Sequence, residues 1–144
     1  MKALIDTCVV IDFLQRREPF AEDAKNIFHA AACERFTGFI TAKSATDIYY
    51  LIHRCTHNDK EARNKLNSLL SVINLVDTTA MDIFHGLSSK TPDFEDAVMI
   101  ETASRTNIDC IITRNQKDYR NSSVAVLSPS EFLQQLQTQG NGIT

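Results

Sequence analysis

The feature that most constrains this chain is a set of short apolar runs, each ending against a polar residue. Lys2 leads into Ala3-Leu4-Ile5, and Asp6 follows at once. Similar runs recur at Gly38-Phe39-Ile40, at 72–76 (VINLV), at Cys110-Ile111-Ile112 and at Val124-Ala125-Val126-Leu127. Each is too short for a helix and reads as a buried strand. Helical spacing fills the intervals. The helices are expected at about 9–15, 20–34, from a cap at Thr41 or Ser44 onward, 59–71, 79–87 and 93–105, with a last one after Ser128-Pro129-Ser130. Their inward stripes are Phe20, Ala24, Ile27, Phe28 and Ala31, then Ile48, Leu51, Ile52 and Cys55, then Ala62, Leu66, Leu69 and Leu70.

Short apolar strands alternating with helices point to an α/β fold, three layers deep, around a mostly parallel five-stranded sheet. The 144 residues suit one domain with one sizeable core. Its expected span is 1–137, with a flexible tail over 138–144 (QTQGNGIT from 137). At 43% hydrophobic and 23% charged residues, the composition is that of an ordinary soluble domain. No apolar run approaches the roughly 20 residues of a membrane helix. Asp6 and Asp12 interrupt any signal-peptide core, so the expected compartment is the cytoplasm. The net charge of −3 argues against a tight non-specific DNA binder. The four cysteines, Cys8, Cys33, Cys55 and Cys110, form no C-x-x-C and read as free buried thiols.

In open α/β sheets, ligands sit outside the carboxyl ends of the strands. Acidic and amide residues gather at those places: Asp6, Asp47, Asp93 with Asp96, and the loop Thr113-Arg114-Asn115-Gln116-Lys117-Asp118. Each has a plainer reading. Asp6 can cap the next helix, Asp47 can be a solvated helix residue, and Asp93 with Asp96 can serve a helix start. The loop can be a polar turn. Carboxylates converging from distant segments repel one another, and a cation resolves that repulsion. Oxygen ligands suit Mg²⁺ or Mn²⁺, which activate water and steady charge on a phosphodiester.

Taken together, these blocks resemble the PIN domain family over roughly 2–134. LIDTCVVIDFL resembles its opening strand with a metal aspartate at Asp6, and Arg17-Glu18-Pro19-Phe20 resembles the continuation in a bacterial branch. SATDIYYLI matches the second acid at Asp47, and DFEDAVMIETA the third at Asp96, with Asp93 beside it. IITRNQKDY resembles the closing T-x-D/N-x-x-D-F block, matching Thr113, Asn115 and Asp118. Three positions depart from the pattern: Cys8 where many relatives carry Asn, Asp47 where Glu is usual, and Asn115 where Asp is frequent. The resemblance implies strand order 3-2-1-4-5 and a Mg²⁺- or Mn²⁺-dependent endoribonuclease. It further implies kinship to VapC-type toxins, which dimerise and are blocked by a cognate antitoxin. On this reading Asp6, Asp47 and Asp96 carry the catalytic metal, Asp93, Asn115 and Asp118 support it, and Thr113 orients the last loop.

Arg114, Lys117 and Arg120 stand near that loop as candidate contacts to RNA phosphates, with Arg16, Arg17 and Lys43 able to extend the rim. Tyr49-Tyr50 offers either base stacking or packing. His53 and His57 have i, i+4 spacing but no third ligand, and read as a polar helix end. Asp12 reads as a helix residue. The rival function is a member that binds RNA or protein without cutting. A phosphatase or receiver-like protein lacks support, since neither Asp-x-Asp nor paired acids follow the first strand. Neither a glycine-rich phosphate loop nor G-x-S-x-G is present.

Overall fold

Side-chain alternation along the first strand decides the layering. In β1 (Lys2–Ile5), Ala3 and Ile5 enter one apolar cluster and Leu4 enters the other. In β4 (Cys110–Ile112), Cys110 and Ile112 divide from Ile111 in the same way. Successive strand residues face opposite sides of a sheet, so a wholly apolar run requires helices on both faces. The computed structural model describes residues 1–142.

The larger cluster packs α1 (Thr7–Leu14), α2 (Ala21–Ala32), α3 (Ala42–Thr56), α4 (Asp59–Leu69) and α7 (Pro129–Gly140) on one side. The smaller cluster packs α6 (Phe94–Arg105) on the other, with α5 (Ala80–Leu87) resting on α6. The remaining strands are β2 (Thr37–Thr41), β3 (Asn74–Val76) and β5 (Ala125–Leu127). The five strands run in the order β3-β2-β1-β4-β5, and every pairing is parallel. All carboxyl ends therefore open on one edge. No helix among the described residues is long and apolar enough to cross a membrane.

Several helix starts are set by single side chains. The Thr41 hydroxyl accepts from the Ser44 amide at 3.0 Å and begins α3. Ser128 and Glu131 form a capping box at α7, with Pro129 in its first turn. That helix continues through Gly140, three residues into the expected tail, and Leu136 is buried within it. Residues 143 and 144 of the expected tail lie outside the described residues.

Three expectations change. Cys55 is exposed rather than inward, and Cys33 is exposed at the end of α2. All four thiols are free, but only Cys110 is buried and Cys8 is partly so. Phe20 is 41% exposed, because it precedes α2 and its ring receives the Arg114 guanidinium 4.0 Å from the centroid. His57 is a left-handed cap beyond α3, with φ 51°, so it shares no helix face with His53.

Candidate active site

Strand register brings the first two site residues together. Ile5 pairs with Ile112, so Asp6 and Thr113 step off neighbouring strands side by side. The Asp6 amide donates to the Ile112 carbonyl at 3.0 Å. Asp6 occupies the cap position of α1, yet its carboxylate makes no cap hydrogen bond. Instead its Oδ2 accepts from the Thr113 hydroxyl at 2.7 Å and from the Cys8 thiol at 3.6 Å. The Thr113 oxygen in turn accepts from the Asn115 amide at 3.0 Å. Asp6 is only 9% exposed, and Thr113 is fully buried. A carboxylate with one oxygen held in this way offers the other outward. Burial and the Asp6 charge push the Cys8 thiol up to about 11, so it acts as a neutral donor.

Asp96 enters from the first turn of α6. Asp93 caps that helix, its Oδ1 accepting from the Asp96 amide at 3.1 Å. The plainer reading of Asp93 is therefore met, and its charge also acts on the site. Burial and the nearby Asp6 raise the Asp96 carboxyl; Tyr119 opposes this, and Asp93 and Asp118 add to it, giving about 7. Four acids from three separate segments thus share one electrostatic neighbourhood.

Tyr119, at the end of a one-turn 3-10 helix (Gln116–Tyr119), is 2% exposed. Burial and the carboxylates of Asp6 and Asp96 hold its phenol far above the ordinary tyrosine range. It stays neutral, and its hydroxyl donates to the Met99 sulfur at 3.6 Å. Sequence reasoning missed it; the signal was an aromatic directly after Asp118, where a polar surface turn needs none.

A cavity of about 410 Å³ opens over this edge and is lined by Asp6, Asp47 and Asp96. Asp47 faces it from α3, half-exposed, and the Lys43 ammonium binds its Oδ2 at 2.7 Å. The same ammonium reaches Glu95 Oε1 at 3.0 Å. The acid pair Asp6–Asp96 and the Lys43-bridged pair Asp47–Glu95 line the same pocket. Of the expected rim, only Lys43 lines the pocket, and Arg17 bonds to Gln15 at 3.2 Å. Lys117 and Arg120 are exposed and lie outside the lining. Arg114 is committed elsewhere: its Nε and Nη2 grip Asp12 at 2.5 and 3.1 Å.

Does this donor set fit a divalent cation? Among the described residues, no three acidic, histidine or cysteine side chains stand close enough to cage one. Mg²⁺, however, is ordinarily held by one or two carboxylates and keeps its waters. A carboxyl raised to about 7 by burial and then by its acidic neighbours is the situation a cation relieves. The set fits a hard, oxygen-loving ion through Asp6 and Asp96, with Asp47 across the pocket.

The sequence model of the PIN domain matches residues 2–117. The chain belongs to the PIN domain family. Solved PIN-like chains share its fold. VapBC2 from Rickettsia felis, bound to a DNA fragment from its promoter, superposes with a TM-score of 0.68 at 17% identity, covering 89% of this chain and 98% of that one. A toxin-antitoxin complex from Klebsiella pneumoniae gives 0.65 at 21% identity, covering 88% and 97%. FitAcB from Neisseria gonorrhoeae gives 0.66 at 20% identity, covering 89% and 98%. No curated protein matches the sequence. At such identities the likeness establishes the fold, and this PIN domain's chemistry rests on its own residues.

Proposed function

We propose that this protein is a divalent-metal-dependent endoribonuclease acting as the toxin of a toxin-antitoxin pair. The observation that carries the reading is the pairing of the buried Asp6 carboxylate with the half-buried Asp96, at the carboxyl edge of a parallel sheet in a PIN domain. Asp6, Asp47 and Asp96 would hold Mg²⁺ or Mn²⁺, with Asp93, Asn115 and Asp118 acting on its waters. When bound, the ion supplies an acidified water and positive charge against the phosphodiester. Thr113 and Cys8 fix Asp6. Lys117 and Arg120 are exposed cations for RNA phosphates.

An antitoxin partner is supported by the kind of complex in which the solved relatives were found. A homodimer is supported by Met81, Phe84 and Leu87, which leave an apolar stripe of α5 exposed. An RNA substrate implies a cytoplasmic location. One observation favours binding without cleavage: Lys43 already supplies a cation between Asp47 and Glu95.

The test is cleavage of mixed-sequence RNA, with a matching DNA control, in Mn²⁺, Mg²⁺ or chelator. Metal-dependent RNA cutting lost in Asp6→Asn and Asp96→Asn is the expected result. Absence of both cutting and calorimetric metal binding would leave the binding module as the better account.

A further inference from the structure

The pocket over the acidic edge has a second wall that metal chemistry does not use. Tyr50, 67% exposed, and Phe94, 45% exposed, both line it. Neither ring hangs loose. Tyr50 stands edge-on to Tyr49, with ring centroids 5.0 Å apart at 84°. Tyr49 is itself anchored: its hydroxyl donates to Asp59, which Arg63 grips, and its ring stacks on His53 at 5.9 Å. Phe94 rests beside Gly86, where an added Cβ would meet its ring at 3.5 Å. Exposed aromatics propped in fixed orientations lose little entropy when something stacks on them.

Arg54 also lines the pocket, is exposed, and joins none of the salt bridges among the described residues. In a chain of net charge −3, an unpaired guanidinium beside a pocket rich in carboxylates has anions as its natural complement. The pocket therefore presents, around one space, carboxylates, a free guanidinium and two supported aromatic faces. Its volume of about 410 Å³ lies within the range of small-ligand sites.

We propose that this pocket is a subsite for one unpaired nucleotide of single-stranded RNA. Its base stacks on Tyr50 and Phe94, and a flanking phosphate meets Arg54. The inference rests on the ribonuclease reading and deepens it, because a base held in a duplex cannot present a free face to either ring.

The experiment uses full-length protein carrying Asp96→Asn to prevent cutting, and a short single-stranded RNA containing 2-aminopurine. Binding should quench the fluorophore, and a fully paired duplex of the same sequence should bind more weakly. Tyr50→Ala and Phe94→Ala should each weaken binding roughly 5- to 100-fold and relieve the quench, whereas Tyr50→Phe should retain both. Arg54→Ala should flatten the salt dependence by about one phosphate. Both aromatics are exposed, so thermal melts of these variants should match the parent. Unchanged affinity and quenching in both alanine variants would overturn the subsite, even if metal-dependent cleavage by the otherwise native protein were intact. A fall in sedimenting mass with no change in RNA binding would overturn it too, assigning the rings to contact with a second copy. No RNA binding by the parent would overturn both this inference and the ribonuclease reading.

Discussion

Asp12 and Arg114, 102 positions apart in sequence, form a bidentate ion pair at 2.5 and 3.1 Å. Asp12 is 1% exposed, and Phe20 covers the guanidinium from 4.0 Å. The pair ties α1 to the loop that carries Thr113 and Asn115, and so holds the Thr113 hydroxyl against Asp6. Asp12→Ala leaves the part-buried Arg114 guanidinium, 23% exposed, unpaired and should destabilise the fold by about 2 kcal/mol. Arg114→Lys keeps the charge but loses the planar fork, so it should be intermediate. Urea unfolding measures both. Stability unchanged in Asp12→Ala would mean that the pair does not hold the loop.

Thr113→Val conserves shape and removes three contacts of the hydroxyl, one to Asp6, one from the Asn115 amide and a longer one with the Cys8 sulfur at 3.9 Å. A hydrogen bond to a charged group contributes about 1.5–3 kcal/mol, and the loss should appear as a lower melting temperature. Metal affinity should fall about 10- to 100-fold, since Asp6 loses its orientation. Calorimetry with Mn²⁺ reads this directly. Full affinity in the variant would show that Cys8 alone suffices to orient Asp6.

The raised Asp96 carboxyl makes a prediction about the metal-free protein. Its folded value, about 7, lies above the ordinary 3.8. Ionisation therefore opposes folding, and the resulting destabilisation grows as pH rises from 3.8 through 7. Asp96→Asn should be more stable than wild type at pH 8 in chelator, by about 2 kcal/mol after discounting for solvent screening of the half-buried carboxyl, and similar to it near pH 4. Excess Mg²⁺ should narrow the gap at pH 8. Equal melting temperatures at pH 8 in chelator would mean that neither burial nor its acidic neighbours disfavour the Asp96 charge.

Asp82 behaves in the opposite sense. Burial raises its carboxyl, but Arg105, the Thr79 amide and the Thr102 hydroxyl outweigh that and bring it down to about 2. Arg105 Nε and Nη2 both donate at 2.9 Å, which fastens α5 to α6. The stabilisation is complete above the unfolded value of 3.8 and is lost as pH falls through about 2. Arg105 is 36% exposed, so solvent screening reduces the contribution to about 1–2 kcal/mol. The stability difference between wild type and Asp82→Asn should be flat from pH 7 to 5 and shrink below pH 4. A difference independent of pH down to 2.5 would rule out this linkage.

Period and punctuation alone determined much of this molecule. Runs such as Ala3-Leu4-Ile5 are apolar at every position, which only a strand covered on both faces tolerates, so the α/β class was readable from them. Thr41, Asp93 and Ser128 announced helix starts because capping is local chemistry. The four blocks that resemble the PIN family single out Asp6, Asp47 and Asp96 as candidates, and all three line one pocket.

Only tertiary structure decided what the charges do. Arg114 reads in sequence as one basic residue in a basic loop, yet it faces Asp12 because β4 lies beside β1 and brings that loop over α1. Lys43 pairs with Asp47 at a local i, i+4 spacing, but its contact with Glu95 on α6 exists only in the folded chain. Tyr119 becomes a buried donor, and Tyr50 an exposed platform, through packing alone. Periodicity and caps depend on neighbours within a few residues, so the sequence carries them openly. Ion pairs and pKa values depend on distances between segments far apart in the chain, and those distances exist only once the sheet has formed.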